Sequence, residues 1–238
     1  MTQILDKVAA ALASEPLIGP QIHHIKRRLD DGAVLLEGEV STVAAKKKAL
    51  LHVAAIAGLD GIIDRLHVTP AAPMGDAEIR AHLRNALIGE PSFSDIGIFE
   101  HNAGAVKTAQ GGGPGNIQRI EFEVSDGIVT LNGELAGLVS KRLAGVLAWW
   151  IPGTRDVVNG ISVTPPEQDN QGIVEDAVRV ALEKDPFVNA SQIRVGARLL
   201  VVKLTGTVRS DAERDMAERD AWCVFGVDDV INKIEVEP

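Results

Sequence analysis

The sequence predicts an α+β fold of three tandem αββαβ modules, each a small three-stranded mixed sheet with two helices on one face. Three observations predict it. A pair of glycines recurs three times at one spacing. An amphipathic stretch ending at a proline precedes each pair. Short alternating apolar runs flank them.

The anchor glycines are Gly38 in LLEGEV, Gly133 in TLNGEL and Gly206 in KLTGTV. Gly58, Gly153 and Gly226 follow them by 20 residues, Asp64, Asn159 and Asn232 by 26, and Val68, Val163 and Val236 by 30. Offsets kept three times without a gap mark an internal repeat. Upstream, Pro16, Pro91 and Pro186 precede the anchors by 22, 42 and 20 residues, so the middle copy carries an insertion of about twenty residues. These offsets bound modules at 1–70, 74–165 and 171–238, joined by proline-containing linkers at 69–76 and 164–172. The insertion, at about 101–118, includes GAVKTAQGGGPGN. Its glycines read as a mobile loop.

Each module opens with a helix. In the third copy Ile173, Val174, Ala177, Val180 and Ala181 have the spacing of one buried helical face. The following proline cannot continue the helix. Two strands come next. Asp31-Gly32 and Asp126-Gly127 are hairpin signals between them; the third copy has Gly196 nearby but no such pair. The second strand alternates, with Val34 and Leu36, Val129 and Leu131, and Val202 and Leu204 facing one way, so one sheet face is less buried. A second helix follows, as in VAAKKKALLHVAAIAG, and reads as capped by the second glycine. A last strand completes a crossover expected to be right-handed.

Composition narrows the function classes. The single cysteine, Cys223, excludes an internal disulfide, and it reads as an inert buried thiol at an apolar helix end. The first residues lack a basic leader and carry Asp6 within the apolar stretch, so they read as an amphipathic helix and not a signal peptide. No apolar run reaches the roughly 18 residues of a membrane span; a cytoplasmic protein is expected. The net charge of −9, distributed as 0, −4 and −5 over residues 1–70, 71–168 and 169–238, argues against general nucleic-acid binding. No nucleophile–base constellation is recognisable, and no cofactor is expected. The glycine stretch is not a phosphate loop, since Lys107-Thr108 precedes the glycines.

The strand end Gly-Glu/Thr-Val/Leu, the helix after it, and Gly-Val-x-x-Val-x-Asn-x-Ile-x-Val resemble the BON domain. The third copy carries the pattern best, in AWCVFGVDDVINKIEV; the first departs from it at Leu59 and Asp64. The resemblance covers nearly the whole chain outside the linkers and the insertion. It implies a non-enzymatic bacterial binding module associated with phospholipid membranes and with osmotic or envelope stress. It also implies an alternative, since other members are cytoplasmic and bind ions: a sensor for an ion such as potassium, or for a small ligand.

Several residues are candidates for that binding. Lys46, Lys47 and Lys48 open the second helix of module one, and Lys141, Arg142 and Arg214 occupy matching places. Cations there suit anionic headgroups; the competing reading is a solvated helix face. Trp149 and Trp150 are candidates for inserting at a membrane interface or anchoring a partner. The competing reading packs Trp149 and its equivalent Trp222 on the sheet or a neighbouring module, whereas Trp150 points elsewhere on the helix and is expected to be exposed. Asp64, Asn159 and Asn232 read as satisfying local backbone groups. His23 and His24, read as pointing to opposite sides of a strand, and His52 are not expected to bind metal. Partner binding or self-association is expected on module two, which alone has the long loop and the Trp pair.

Overall fold

The computed structural model describes residues 2–237. The chain forms two compact units, residues 1–69 and 70–238. The first unit is a single αββαβ module with helix α1 (Thr2–Ser14), strands β1 (Ile25–Asp30) and β2 (Ala33–Val40), helix α2 (Val43–Ala54) and strand β3 (Gly61–Val68). Strand β2 is central, antiparallel to β1 and parallel to β3. Thr42 caps α2, its hydroxyl accepting from the Ala45 amide at 3.1 Å.

The second unit holds the other two copies. The third copy repeats the plan with α5 (Gln171–Lys184), β10 (Ile193–Arg198), β11 (Val201–Val208), α6 (Asp211–Cys223) and β12 (Asp229–Val236). Its sheet has the order β10-β11-β12, again antiparallel and then parallel. Helices α1, α3 (Asp76–Gly89) and α5 each stop two residues before the expected proline. The residue preceding a proline is pushed out of helical geometry, and Glu90 and Asp185 are extended, at ψ 114° and 113°.

The middle copy is where the sequence reading needs correction. Its core plan is present: β6 (Arg119–Ser125), β7 (Ile128–Leu135), α4 (Leu138–Trp149), β8 (Asp156–Asn159) and β9 (Ser162–Val163). The insertion, however, is a loop only over residues 111–118, which form no helix or strand. Residues reaching into it form a hairpin of β4 (Gly97–Asn102) and β5 (Ala105–Gln110), and β4 lies parallel to β6. The sheet therefore runs β5-β4-β6-β7-β8, with β9 also beside β7. Strand β5 is exposed along most of its length, so it needs no apolar alternation, the signal by which strands are read. Its end is anchored by Gln110, whose Nε2 donates to the carbonyls of Phe93, Ser94 and Ile96 at 2.7, 3.2 and 2.9 Å.

The anchor glycines mark a close backbone approach. Gly38, Gly133 and Gly206 have φ of 143°, 116° and 134°. A Cβ at these places would overlap the carbonyl oxygens of His24, Arg119 and Gln192. Only glycine tolerates both conditions. The second glycines act differently from the expected helix caps. Helices α2, α4 and α6 end three or four residues earlier, and Gly58 and Gly226 turn the chain into the last strand at φ of 89° and 84°. Gly153 makes room instead, since a Cβ there would come 2.5 Å from the Met74 Cβ.

Candidate binding surface

The residues singled out from sequence divide into those held inside and those left on the surface. Lys46 is 7% exposed. Its ammonium lies 3.0 Å from Asp64 Oδ2 and donates to the Leu66 carbonyl at 2.6 Å. Asp64 also accepts from the Leu66 amide. The matching Asn159 and Asn232 donate to the carbonyls of Lys141 and Arg214, at 2.8 and 3.2 Å, and accept from the amides of Ile161 and Ile234. All three Asx side chains thus tie the last strand to the second helix, as the backbone-satisfaction reading expects. In module one a carboxylate stands at this position and the lysine turns in to meet it.

Arg142 is 1% exposed. Its guanidinium holds Asp169 through both Nη atoms, at 3.1 and 2.6 Å, and its Nε donates to the Phe225 carbonyl at 2.7 Å. Lys47, Lys48, Lys141 and Trp149 are half-buried. Trp222 is buried, as expected, whereas Cys223, expected to be buried, is half-buried and packs against the third module's core. The expectation for Trp150 needs correction. It is half-buried and packs against the cores of modules two and three at once. His23 and His24 lie in a short 3-10 helix with ring centroids 4.0 Å apart, not on opposite faces of a strand. His52 pairs with Glu15 at 3.0 Å. Among the described residues no group of three or more His, Cys, Asp or Glu side chains is placed to hold a metal ion.

The surface that does gather charge lies elsewhere. In module three Val202 and Leu204 of β11 face the helices and are buried, so their neighbours face away. The strand registers then assemble the open face row by row. Arg198, Val201 and Asp229 form one row, Gly196, Lys203 and Ile231 the next, and Arg194, Thr205 and Lys233 the third. Arg194, Arg198, Lys203 and Lys233 are all exposed. Asp229 and Glu235 are the carboxylates of this face. Strands about 4.8 Å apart with a rise of about 3.3 Å per residue put the central Lys203 within about a Debye length of each of the other three cations. The acidic residues of the copy crowd the opposite side, with Asp211, Glu213, Asp215, Glu218 and Asp220 on α6 alone. A copy with a net charge of −4 over residues 171–238 thus presents a basic sheet face and an acidic helical face.

The β10–β11 turn closes one end of that face. Leu199 and Leu200 occupy it at φ of 49° and 64°. Asp31-Gly32 and Asp126-Gly127 make the same turn in modules one and two, at φ of 48° and 85°, and 54° and 74°. Left-handed backbone costs about 1–2 kcal/mol per residue with a Cβ and is tolerated best by Gly, Asn and Asp. Leucine at both positions hid the turn from sequence reading.

The BON domain family profile matches residues 2–70, 109–165 and 170–238, well over half of the chain. The chain belongs to the BON domain family. No curated protein matches it. Among solved structures, the C-terminal domain of CdsD, a structural protein of the type III secretion system of Chlamydia trachomatis, is 14% identical over 100% of this chain and 99% of that one, with a TM-score of 0.26. A second CdsD structure from the same secretion system is 14% identical over 99% of this chain and 93% of that one, also at 0.26.

The second and third BON copies share a polar and apolar contact. Val146 of α4 is part of the third copy's core, and Val180 of α5 packs on the second's. Lys184 of α5 meets Glu90 Oε1 at 2.7 Å. Burial works to raise the Glu90 carboxyl, but the Lys184 ammonium and hydrogen bonds from Ser92 outweigh it, so it titrates below its ordinary value. The Trp150 indole donates to Asp220 Oδ1 at 2.9 Å. Burial, with the carboxylate of Asp185 close by, pushes Asp220 up to about 8. Its Oδ2 is buried and receives no hydrogen bond. No helix among the described residues is long and apolar enough to cross a membrane.

Proposed function

We propose that this tandem BON protein is a non-catalytic binding protein that docks on anionic phospholipid surfaces, with the open sheet face of module three as the contact. The observation that carries the reading is the segregation of Arg194, Arg198, Lys203 and Lys233 on one exposed face of an otherwise acidic copy. Such a module orients in the field of an anionic surface, sheet inward and helices outward. Each cation near such a surface contributes on the order of 1 kcal/mol. Lys46 and Arg142, weighed for this role from sequence, are held inside by Asp64 and Asp169 and are assigned structural work instead. The two groups with displaced titration, Glu90 and Asp220, are engaged by Lys184 and Trp150 in the contact between copies, which favours binding over catalysis.

The reading is tested by co-sedimentation with vesicles of phosphatidylcholine containing phosphatidylserine. Binding at low salt should weaken steeply as salt rises. Replacing Arg194→Glu and Lys233→Glu together should reduce it at least tenfold without changing thermal stability by more than a degree or two. Equal binding to vesicles of phosphatidylcholine alone, or by the charge-reversed chain, refutes the assignment.

A further inference from the structure

We propose that the Leu199–Leu200 turn of module three is an insertion tip that enters the interfacial layer of the bilayer while the neighbouring sheet cations sit on the headgroups. The inference rests on the anionic-surface reading and names the part of the module that leaves water. Leu199 is 77% exposed and Leu200 37%. Both are left-handed, a conformation that the equivalent Asp-Gly turns of the other two modules adopt with residues suited to it. The folded chain in water thus gains little packing from Leu199 and no backbone ease from either leucine. Strain and exposed apolar surface together at one place point to a contact made outside the monomer.

What surrounds the turn specifies that contact. Phe225, 63% exposed, precedes β12 at the same end of the sheet. The Asp228 amide donating to the Leu200 carbonyl at 2.9 Å ties that loop to the turn. The Phe225 backbone is fixed by Arg142 at 2.7 Å. Arg198 directly precedes the turn, with Lys203 one row behind it and Arg194 and Lys233 a row further. Asp228 and Asp229 are the carboxylates of this end, and Asp229 accepts from the Val230 amide at 2.8 Å. Apolar side chains at a tip followed by rows of cations match the layering of an anionic bilayer, with acyl chains within and headgroups outside.

The test uses the full chain and the double variant Leu199→Asp, Leu200→Gly, which installs the turn its sibling modules use. It should melt at the same temperature as the parent or higher, since strain is relieved. Its partition onto phosphatidylserine-containing vesicles should nevertheless fall at least tenfold. The rise in surface pressure that the parent causes in a monolayer of the same lipids should be lost, because adsorption through cations alone does not insert. Phe225→Ser should weaken both readouts in the same direction. If the parent binds anionic vesicles and the double variant binds and inserts equally well, the tip assignment is overturned and the charge reading stands. If the parent does not bind them at low salt, both fall. If the variant loses a concentration-dependent oligomer but keeps its vesicle binding, the turn serves copy-to-copy contact and the proposal is wrong.

Discussion

At the residue scale, one position shows how a repeat diverges. In module one Glu15, just before Pro16, pairs with His52 of α2 at 3.0 Å. Module three puts Asp185 before Pro186, and the residue matching His52 in its second helix is Asp220. An acid–base pair has become two acids, with the Trp150 indole on one of them. The folded chain keeps the Asp220 proton up to about pH 8, whereas the unfolded chain releases it near 3.8. Between those values the native state binds more protons, so stability falls as pH rises, by up to about 1.4 kcal/mol per pH unit. Below 3.8 the group imposes no penalty, and above about 8 the penalty is complete. Glu90 acts in the opposite sense at the acid end, adding stability that is lost as pH falls through its lowered value. Asp220→Asn keeps an acceptor for Trp150 and a donor toward Asp185 but cannot ionise. Melting curves between pH 5 and 8.5 should show a flatter decline for the variant and a higher melting temperature at the alkaline end. An unchanged slope refutes the protonated assignment. The sequence spacing could not reveal this site, because Trp150 and Asp220 lie in different copies.

At the element scale, legibility followed burial. Helices and strands with one face in the core carry a period, and all three copies of them were read correctly from it. The anchor glycines were read as repeat markers, although their cause, the carbonyl of His24, Arg119 or Gln192 against the Cα, is visible only in three dimensions. Three elements escaped, the Leu199–Leu200 turn, β4 and β5. The Leu199–Leu200 turn breaks the chemistry by which turns are recognised, and β5 has no buried face to give it a period. The hairpin predicts its own energetics. Val106 near its tip is 59% exposed, so Val106→Ala should change stability by less than about 0.5 kcal/mol. Gln110 satisfies three carbonyls around the start of β4. Gln110→Ala should cost about 1–3 kcal/mol, because partly buried acceptors are left without a donor. Urea denaturation of the two variants should separate them clearly; equal midpoints would mean that the hairpin is not anchored as described.

At the scale of the whole molecule, three sequence repeats make two physical units, 1–69 and 70–238. Nothing in the spacing of glycines distinguishes the copy that forms a unit by itself from the two that form one together. That information lies in side chains whose partners are distant in sequence. Arg142 reaches Asp169 in the linker and the Phe225 carbonyl in module three, and Gly226 is needed beside it, since a Cβ there would come 2.8 Å from Nη2. The cost of removing Arg142 can be bounded. Losing one partner of a fully buried ion pair costs about 3–5 kcal/mol, but the Asp169 side chain is 45% exposed and water can solvate it once alone. The remaining loss is the bond to the Phe225 carbonyl and the packing of the arginine stem, about 1–3 kcal/mol. Arg142→Ala should therefore loosen the join between the second and third copies without unfolding either. In calorimetry, residues 70–238 should melt as one transition in the parent, because Val146, Trp150 and Val180 cross between the two cores. In Arg142→Ala that transition should broaden and move down, and adding Trp150→Ala should split it in two. A single sharp transition retained in the double variant would show that the copies are coupled by something other than this contact.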